Sequence, residues 1–273
     1  MSDLPIRVSA LQSDGGDTHA AATAPSAVEF HPSWPAQARE TRNRVQREYF
    51  DTVERSRGLP VDTPYVRRHV DETLADGRFA PGAALLEIGA GLGKGTLPLL
   101  ARGFDVTAND LSPVLLGRLQ AAAHQPIRTI ACDVVDLSNH VDRRFDGAVG
   151  FFVLHHLVGF DDIFRALAGV LKPGARVAFC EPVAWNPLYN LQIAVTRNMS
   201  LAGEISLPRM RPNVILPAME RAGFVEAASR RFGYFPPVVT NIHSGRRLER
   251  WLERQSWFPF PHAFQVFSGR ARS

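Results

Sequence analysis

The fold is decided by residues 83–96, which read Ala83-Ala-Leu-Leu-Glu-Ile-Gly-Ala-Gly-Leu-Gly-Lys-Gly-Thr96. A short apolar run leads into a turn rich in glycine and then into a helix start, so the pattern predicts a strand, a turn and a helix. Such a turn places backbone N–H groups beside a bound ligand. Gly89, Gly91 and Gly93 let the backbone turn tightly, and we expect them to approach that ligand with no Cβ atoms in the way.

Two common ligand classes do not fit the spacing of this turn. A Walker phosphate loop requires Gly-x-x-x-x-Gly-Lys-Ser/Thr, but Ile88 and Gly95 stand where its first glycine and its hydroxyl residue are needed. A dinucleotide fingerprint requires Gly-x-Gly-x-x-Gly, and here Lys94 or Thr96 stands at the third glycine. The ligand of this turn therefore belongs to another class.

Downstream of the turn, apolar runs alternate with helical patterns. We predict strands over 104–108, 127–131, 145–153 and 176–180, with helices between them. Residues 224–232 and 264–268 predict an antiparallel hairpin at one edge. The fold class is therefore α/β, a Rossmann-like, doubly wound, mostly parallel seven-stranded sheet with a C-terminal edge hairpin and an N-terminal helical lid.

The chain divides into three predicted parts. Residues 1–33 have the composition of a disordered arm, and residues 34–80 predict helices that form a lid or flank. In the first helix Val45, Tyr49 and Val53 share one face, and the second starts at Thr63-Pro64 with Gly77 as its C-cap. Residues 81–273 form the main domain, with an acceptor-binding insert at about 182–222.

Composition sets limits on partners and compartment. The 273 residues carry a formal charge of +4, and from Ile205 to the end there are 11 arginines against 4 glutamates. No lysine or arginine run of the nucleic-acid type occurs, so we expect a solvated basic surface and no nucleic acid partner. Two cysteines and no apolar run long enough for a membrane span predict a cytoplasmic protein with reduced thiols.

Five segments in order resemble the class I S-adenosylmethionine-dependent methyltransferases, within the type 11-like small-molecule group. Glu87-Ile-Gly-Ala-Gly-Leu-Gly93 is similar to the first motif of that family, and Val106-Thr-Ala-Asn-Asp-Leu-Ser-Pro113 to the second. Ala131-Cys-Asp-Val134 resembles the adenine motif. The fourth-strand segment starting at Phe145 and the turn at Leu171-Lys-Pro-Gly174 complete the set. The resemblance implies S-adenosyl-L-methionine as the cofactor.

Side-chain chemistry adds expected roles at the matching positions. Asp110 lies 21 residues beyond Gly89 and suits the ribose hydroxyls, Asp133 suits the adenine amine, and Glu87 suits the ammonium group of the methionine moiety. Asp at a strand end also commonly caps the next helix, and that alternative stays open for both aspartates. The remaining expected cofactor contacts are Ala90 and Val134, an adenine sandwich of Leu111 and Phe151, and Tyr49 in the N-terminal helix.

Methyl transfer requires an aligned acceptor, exclusion of water and, for some acceptors, a base. His155 and Glu181 follow the fourth and fifth strands and are our candidate bases; a capping or packing role is the alternative for the histidine. No His, Cys or carboxylate cluster has ligand spacing, so we expect no metal.

The acceptor is expected to be small and partly apolar, such as a natural product, a lipid or an isoprenoid-like compound, methylated at O, C or N. The aromatic segments 232–237 and 257–260 are expected to line its pocket. An RNA methyltransferase and a non-catalytic S-adenosylmethionine-binding regulatory protein remain as alternatives. The N-terminal helices offer a surface for a homo-oligomer.

Overall fold

The sheet organises the molecule in the computed structural model, which describes residues 36–55, 62–183, 186 and 207–273. Its strands are β1 Ala84–Ile88, β2 Asp105–Asp110, β3 Arg128–Ala131, β4 Phe145–Phe151, β5 Leu171–Pro182, β6 Phe224–Phe232 and β7 Phe264–Ala271. They form one seven-stranded sheet in the order β3-β2-β1-β4-β5-β7-β6. The five strands β1 to β5 are parallel to one another, while β7 is antiparallel to β5 and β6. The predicted fold class is confirmed.

Helices cover the sheet. They are α1 Ala36–Arg55, α2 Pro64–Gly77, α3 Thr96–Ala101, α4 Pro113–Ala122, α5 Phe160–Val170, α6 Pro212–Arg221, α7 Pro237–Thr240 and α8 His243–Leu252. Short 3₁₀ helices span Val134–Asn139, Leu154–His156 and Leu207–Arg209. The strand order runs one way from β1 to β3 and the opposite way from β4 to β5. With right-handed crossovers, α3 and α4 therefore cover one face of the sheet and α5 covers the other.

The point where the strand order reverses lies between β1 and β4. Glu87 on β1 pairs in register with Ala108 on β2 and with Val149 on β4, so its side chain stands near the carboxyl ends of three adjacent parallel strands. Open α/β sheets bind their ligands in the crevice outside this edge. The glycine turn follows β1 at the same edge.

Several predicted boundaries shift in the structure. Strand β5 starts at Leu171 rather than at residue 176, because Leu171 pairs with Phe145 before an irregularity brings Arg176 opposite Gly147. Gly77 is the last residue of α2, and the left-handed C-cap is Arg78 at φ 50°. A Cβ at Gly77 would lie 2.0 Å from the Phe79 ring, so this glycine makes room for packing.

The predicted apolar face of α1 is wrong where it can be checked. Val45 is exposed, Tyr49 is half-buried, and the side chain of Val53 lies outside the described residues. The helix instead buries Arg42 and Gln46. Both side chains donate to the backbone oxygen of His156, at 2.5 and 2.7 Å, so α1 docks through polar contacts. The predicted arm at 1–33 and most of the predicted insert, residues 184, 185 and 187–206, also lie outside the described residues.

Candidate active site

The three glycines of the turn have different surroundings, although all three have positive φ. A Cβ at Gly89 would lie 2.2 Å from Val153, and one at Gly93 would lie 2.4 Å from Leu119. A Cβ at Gly91 would have no described atom within 4 Å. The prediction that all three glycines clear space for a ligand therefore needs correction, since Gly89 and Gly93 clear space for the protein's own side chains. Gly91 is the one that faces open space.

Asp110 ties the turn to the end of β2. Its carboxylate accepts from the N–H of Gly91 at 2.8 Å and from the N–H of Ser112 at 2.9 Å. Burial raises the pKa of Asp110 above its usual range. Ser112, not Asp110, is the N-cap of α4. Asp110 thus supports the start of α4 through Ser112 but is not its N-cap. Its position beside Gly91 is the one that we expect for a residue that binds the ribose.

Glu87 is buried beneath the start of α3. Only Thr96 donates to its carboxylate in the described part of the chain, at 2.5 Å. Burial raises the pKa of Glu87 to about 8, with the nearby Asp110 charge adding to the shift. A carboxylate in such a place gains strongly from a cationic partner.

Asp133 follows β3 and does cap the next turn, since it accepts from the N–H of Val135 at 3.2 Å. It also accepts from Asn43 on α1 at 2.5 Å and lies 3.4 Å from the Nε of Arg39. Val134 beside it is buried. The structure thus joins Asp133 to the N-terminal helix, a contact absent from the sequence-based prediction.

Phe151 ends β4 and lies at the Glu87 end of the crevice. A Cβ on Gly95 would lie 2.3 Å from the Phe151 ring and 2.4 Å from Glu87 Oε1, so the ring and the carboxylate share that glycine as a neighbour. Leu111 is half-buried after β2. Phe151 therefore packs where the methionine moiety is expected, and its predicted pairing with Leu111 around adenine remains a prediction.

His155 and Glu181 are brought together. His155 Nδ1 lies 2.6 Å from Glu181 Oε2, and both residues are buried. Glu181 Oε1 accepts from the N–H groups of Val153 and Leu154 at 2.9 and 2.7 Å. Glu181 is 0% exposed and its carboxylate is engaged by these three donors, which gives it a positioning role and argues against its use as a base. His155 as the base stays a prediction.

Helix α1 packs against the loop that follows β4. Beyond the two hydrogen bonds to its backbone oxygen, His156 packs its ring edge-to-face on Phe50 at 5.1 Å, and Phe50 in turn contacts Tyr49 at 5.3 Å. Ser112 also donates to Asp51 on α1. Sequence reasoning missed Arg42, Gln46 and Asn43. Gln46 lies four residues after Arg42 and three after Asn43, spacings that share a helical face, and this was the available signal.

A buried aromatic cluster lies at the carboxyl ends of β4 and β6 and at the start of β7. The His69 ring, from α2, lies 4.4 Å from Phe264, 5.2 Å from Phe152 and 5.3 Å from Phe232. Burial lowers the pKa of His69 to about 3, so the ring is neutral. Lys94, directly after the glycine turn, places its Nζ 4.5 Å from the centre of the Phe152 ring.

Phe152 in this cluster has an unusual backbone. Its φ is 56°, a conformation that is costly for a bulky residue, and its N–H donates to Cys180 at 2.8 Å. Strained positions of this kind gather at functional sites. Of the aromatic residues predicted to line the acceptor pocket, Trp257 and Phe260 are exposed, and their role there stays a prediction.

The sheet order, the glycine turn and the three strand-end carboxylates define a class I methyltransferase-type domain. Residues 86–179 match the family model described as "Methyltransferase domain". In fold, the chain is similar to a SAM-dependent methyltransferase from Archaeoglobus fulgidus, with a TM-score of 0.55 and 14% identity over 81% of this chain and 99% of that one. This part of the chain is a methyltransferase domain of the type 11-like group.

The curated relatives are similar over a shorter stretch. An uncharacterized protein of Mycobacterium tuberculosis is 32% identical over 154 residues, 52% of this chain and 50% of that protein. A demethylmenaquinone methyltransferase of Corynebacterium urealyticum is 35% identical over 103 residues, 38% of this chain and 43% of that protein. The chain thus matches about half the length of these relatives or less.

Proposed function

We propose that this protein transfers a methyl group from S-adenosyl-L-methionine to a small, partly apolar acceptor. The observation that carries the proposal is the row of carboxylates Glu87, Asp110 and Asp133 at the carboxyl ends of the adjacent strands β1, β2 and β3. Neighbouring strands are about 4.8 Å apart, so the row extends over roughly 10 Å. A cation, two vicinal hydroxyls and an amine lie in that order along the cofactor.

The chain's own groups would then bind and orient the donor. Asp110 is held beside the Gly91 N–H, where it is placed to accept from hydroxyl groups. Glu87 offers a buried carboxyl group that would ionise as the ammonium group binds. When bound, the cofactor supplies an already activated methyl group, and the protein's part is alignment and exclusion of water.

The proton on the acceptor would go to His155. With Glu181 accepting from Nδ1, the tautomer that leaves Nε2 as the basic nitrogen is favoured. Glu181 also holds the backbone of residues 153 and 154, so it fixes both the ring and the turn that carries it. This arrangement suits an acceptor O–H, N–H or acidic C–H.

An apolar acceptor is supported by the aromatic cluster around His69 and Phe152, next to the turn that carries Lys94. The relatives named demethylmenaquinone methyltransferase favour an isoprenoid-type acceptor over a polar one. His69, Phe232 and Phe264 are buried and Phe152 is half-buried, which suits a site that excludes water from a reacting sulfonium.

Cofactor binding is tested first, by calorimetric titration with S-adenosylhomocysteine. Asp110→Asn should weaken binding by about 10- to 100-fold, because hydrogen bonds to a charged group contribute about 1.5–3 kcal/mol. Asp105→Asn is the matched control, since Asp105 lies at the opposite, amino-terminal end of β2 and is exposed. Equal binding by both variants would contradict the assigned cofactor site.

The acceptor is tested by measuring S-adenosylhomocysteine release with a panel of isoprenoid hydroquinones, simple phenols, small amines and bulk RNA. We expect release to depend on an added apolar hydroquinone or phenol. Release with RNA alone would make the protein an RNA methyltransferase. Tight cofactor binding without release for any acceptor class would favour the regulatory alternative.

A further inference from the structure

Exposed apolar side chains are concentrated in one segment, residues 238–260, which we call the apolar surface. Its two most exposed members are Val238 at 76% and Trp257 at 64%. The others are Ile242, Leu248, Trp251 and Phe260. Elsewhere in the described residues, the large apolar side chains classed as exposed are Val45 and Val114, at 36% and 37%. Two of these side chains are in contact, since the centres of the Trp251 and Trp257 rings lie 6.2 Å apart, and exposed apolar patches mark interaction sites.

The helix that carries part of the apolar surface, α8, is fixed to the protein by buried polar contacts on its inner side. Glu249 on α8 is buried, and its Oε1 accepts from the N–H groups of Tyr234 and Phe235 at 2.7 and 2.9 Å. Glu249 and Glu253 both pair with Arg68 on α2. Helix α8 therefore turns a polar side inward, and Leu248 and Trp251 face outward.

The charge of this face is positive. Arg247, Arg250 and Arg254 are exposed and form no ion pair with any described residue. The two acidic residues of the same helix region are both engaged by Arg68, so they do not offset these arginines at the surface. Arginine with exposed tryptophan and aliphatic side chains is the composition of segments that bind at an anionic lipid interface.

We propose that the apolar surface docks this protein on an anionic lipid bilayer. No helix among the described residues is long and apolar enough to cross a membrane. The aliphatic residues Val238, Ile242 and Leu248 would be buried among acyl chains, whereas they offer nothing to a nucleic acid base. A second copy related by two-fold symmetry would bring the same arginines against each other, which is unfavourable.

The apolar surface is followed in the chain by β7, whose start pairs with the carboxyl end of β5, where the acceptor would be methylated. The segment leads into β7, and just before that strand the N–H of Ala263 donates to Gly233 at 2.7 Å and the N–H of Val183 donates to Ala263 at 2.8 Å. Phe264 then pairs with Pro182, next to Glu181. The docked face is thus continuous with the carboxyl end of β5, and an acceptor dissolved in the bilayer would be delivered at that end.

Vesicle flotation tests the docking and needs no methyl acceptor. The full chain should float with phosphatidylcholine vesicles that contain phosphatidylglycerol, and at least tenfold less with phosphatidylcholine alone. Trp251→Ser with Trp257→Ser should reduce binding by tenfold or more. Arg247→Gln with Arg250→Gln should reduce it by about fivefold per arginine, because each contributes about 1 kcal/mol near an anionic surface.

Matched controls lie at the far edge of the sheet. Val114→Ser removes an exposed apolar side chain, and Arg128→Gln removes an exposed arginine on the edge strand β3; neither should change flotation. Unfolding curves equal to wild type show that the variants fold. Three outcomes would overturn the proposal: no flotation with anionic vesicles, RNA binding that is lost in the arginine variant, or a dimer that dissociates in the tryptophan variant.

Discussion

Two buried glutamates, two strands apart at the same edge of the sheet, have opposite surroundings. Glu87 on β1 receives one hydrogen bond, from Thr96, and burial raises its pKa to about 8. Glu181 on β5 receives two backbone N–H groups and His155. Burial is nearly the same for both, so the two sites differ in the number of donors that each carboxylate accepts from. Glu181 has its hydrogen-bond donors within the protein, whereas Glu87 is the carboxylate that we expect a cationic ligand to pair with.

The two glutamates differ in role: one holds the backbone of a loop, and the other is expected to bind a ligand. A carboxylate that accepts from its own backbone fixes a loop, and removing it leaves buried donors unpaired. A carboxylate with an incomplete set of partners lowers the stability of the empty protein and gains when a charged ligand arrives. Each of the following changes tests one side of that distinction.

The largest effect is expected from Glu181→Ala. It leaves the N–H groups of Val153 and Leu154 and the ring of His155 without their acceptor in a buried place. We expect a loss of about 3–5 kcal/mol in the free energy of unfolding, measured by urea denaturation. Glu181→Gln keeps an acceptor oxygen and should lose less. A loss below about 1 kcal/mol for the alanine variant would show that the loop does not depend on this carboxylate.

Glu87→Gln should act in the opposite direction on the empty protein. The folded pKa of Glu87 is raised from 4.5 to about 8, so stability is greatest below pH 4.5 and falls as the pH rises to 8. The neutral amide removes this loss, and at pH 8 we expect thermal unfolding to show a gain of about 1–3 kcal/mol. Cofactor affinity should fall by about 10- to 100-fold in the same variant. If Glu87→Gln were less stable than wild type at pH 8, Glu87 could not be a carboxylate that lacks partners in the empty protein.

The strand-end carboxylates could be predicted from sequence because their signal is local. Each lies at or just beyond the carboxyl end of a short apolar strand, and parallel strands bring these ends to the same edge of the sheet. The partners of Glu249 could not be predicted, since Arg68 lies 181 residues earlier in the chain. The polar docking face of α1 was misjudged for a related reason. An apolar stripe of Val45, Tyr49 and Val53 is visible in the sequence, whereas the His156 backbone oxygen that selects Arg42 and Gln46 is a tertiary feature.

The pH dependence of cofactor binding also distinguishes Glu87 from Glu181. An ammonium group binds the ionised form of Glu87, so binding releases a proton below pH 8 and affinity should rise up to about tenfold per pH unit between 6 and 7.5. Above pH 8 the α-amino group of the cofactor loses its own proton, at a pKa of about 7.7–8.0 in model peptides, and the rise should end. Calorimetry in two buffers of different ionisation enthalpy would report the released proton. Glu87→Gln should bind with little pH dependence over this range, whereas Glu181→Gln should keep the wild-type slope.

The smallest effect on stability, and the sharpest test of where the cofactor lies, comes from Gly91→Ala. Its φ of 51° makes an alanine cost about 1–2 kcal/mol, but its Cβ would meet no described atom within 4 Å. Gly82→Ala is the matched control, with φ 73° and equally open space, in the turn before β1. Both variants should lose similar stability in urea denaturation. Only the Gly91 variant should lose cofactor affinity, because its methyl group enters the space that the ligand would occupy. Equal affinity in the two variants would place the cofactor away from the glycine turn and leave Glu87 without its expected cation.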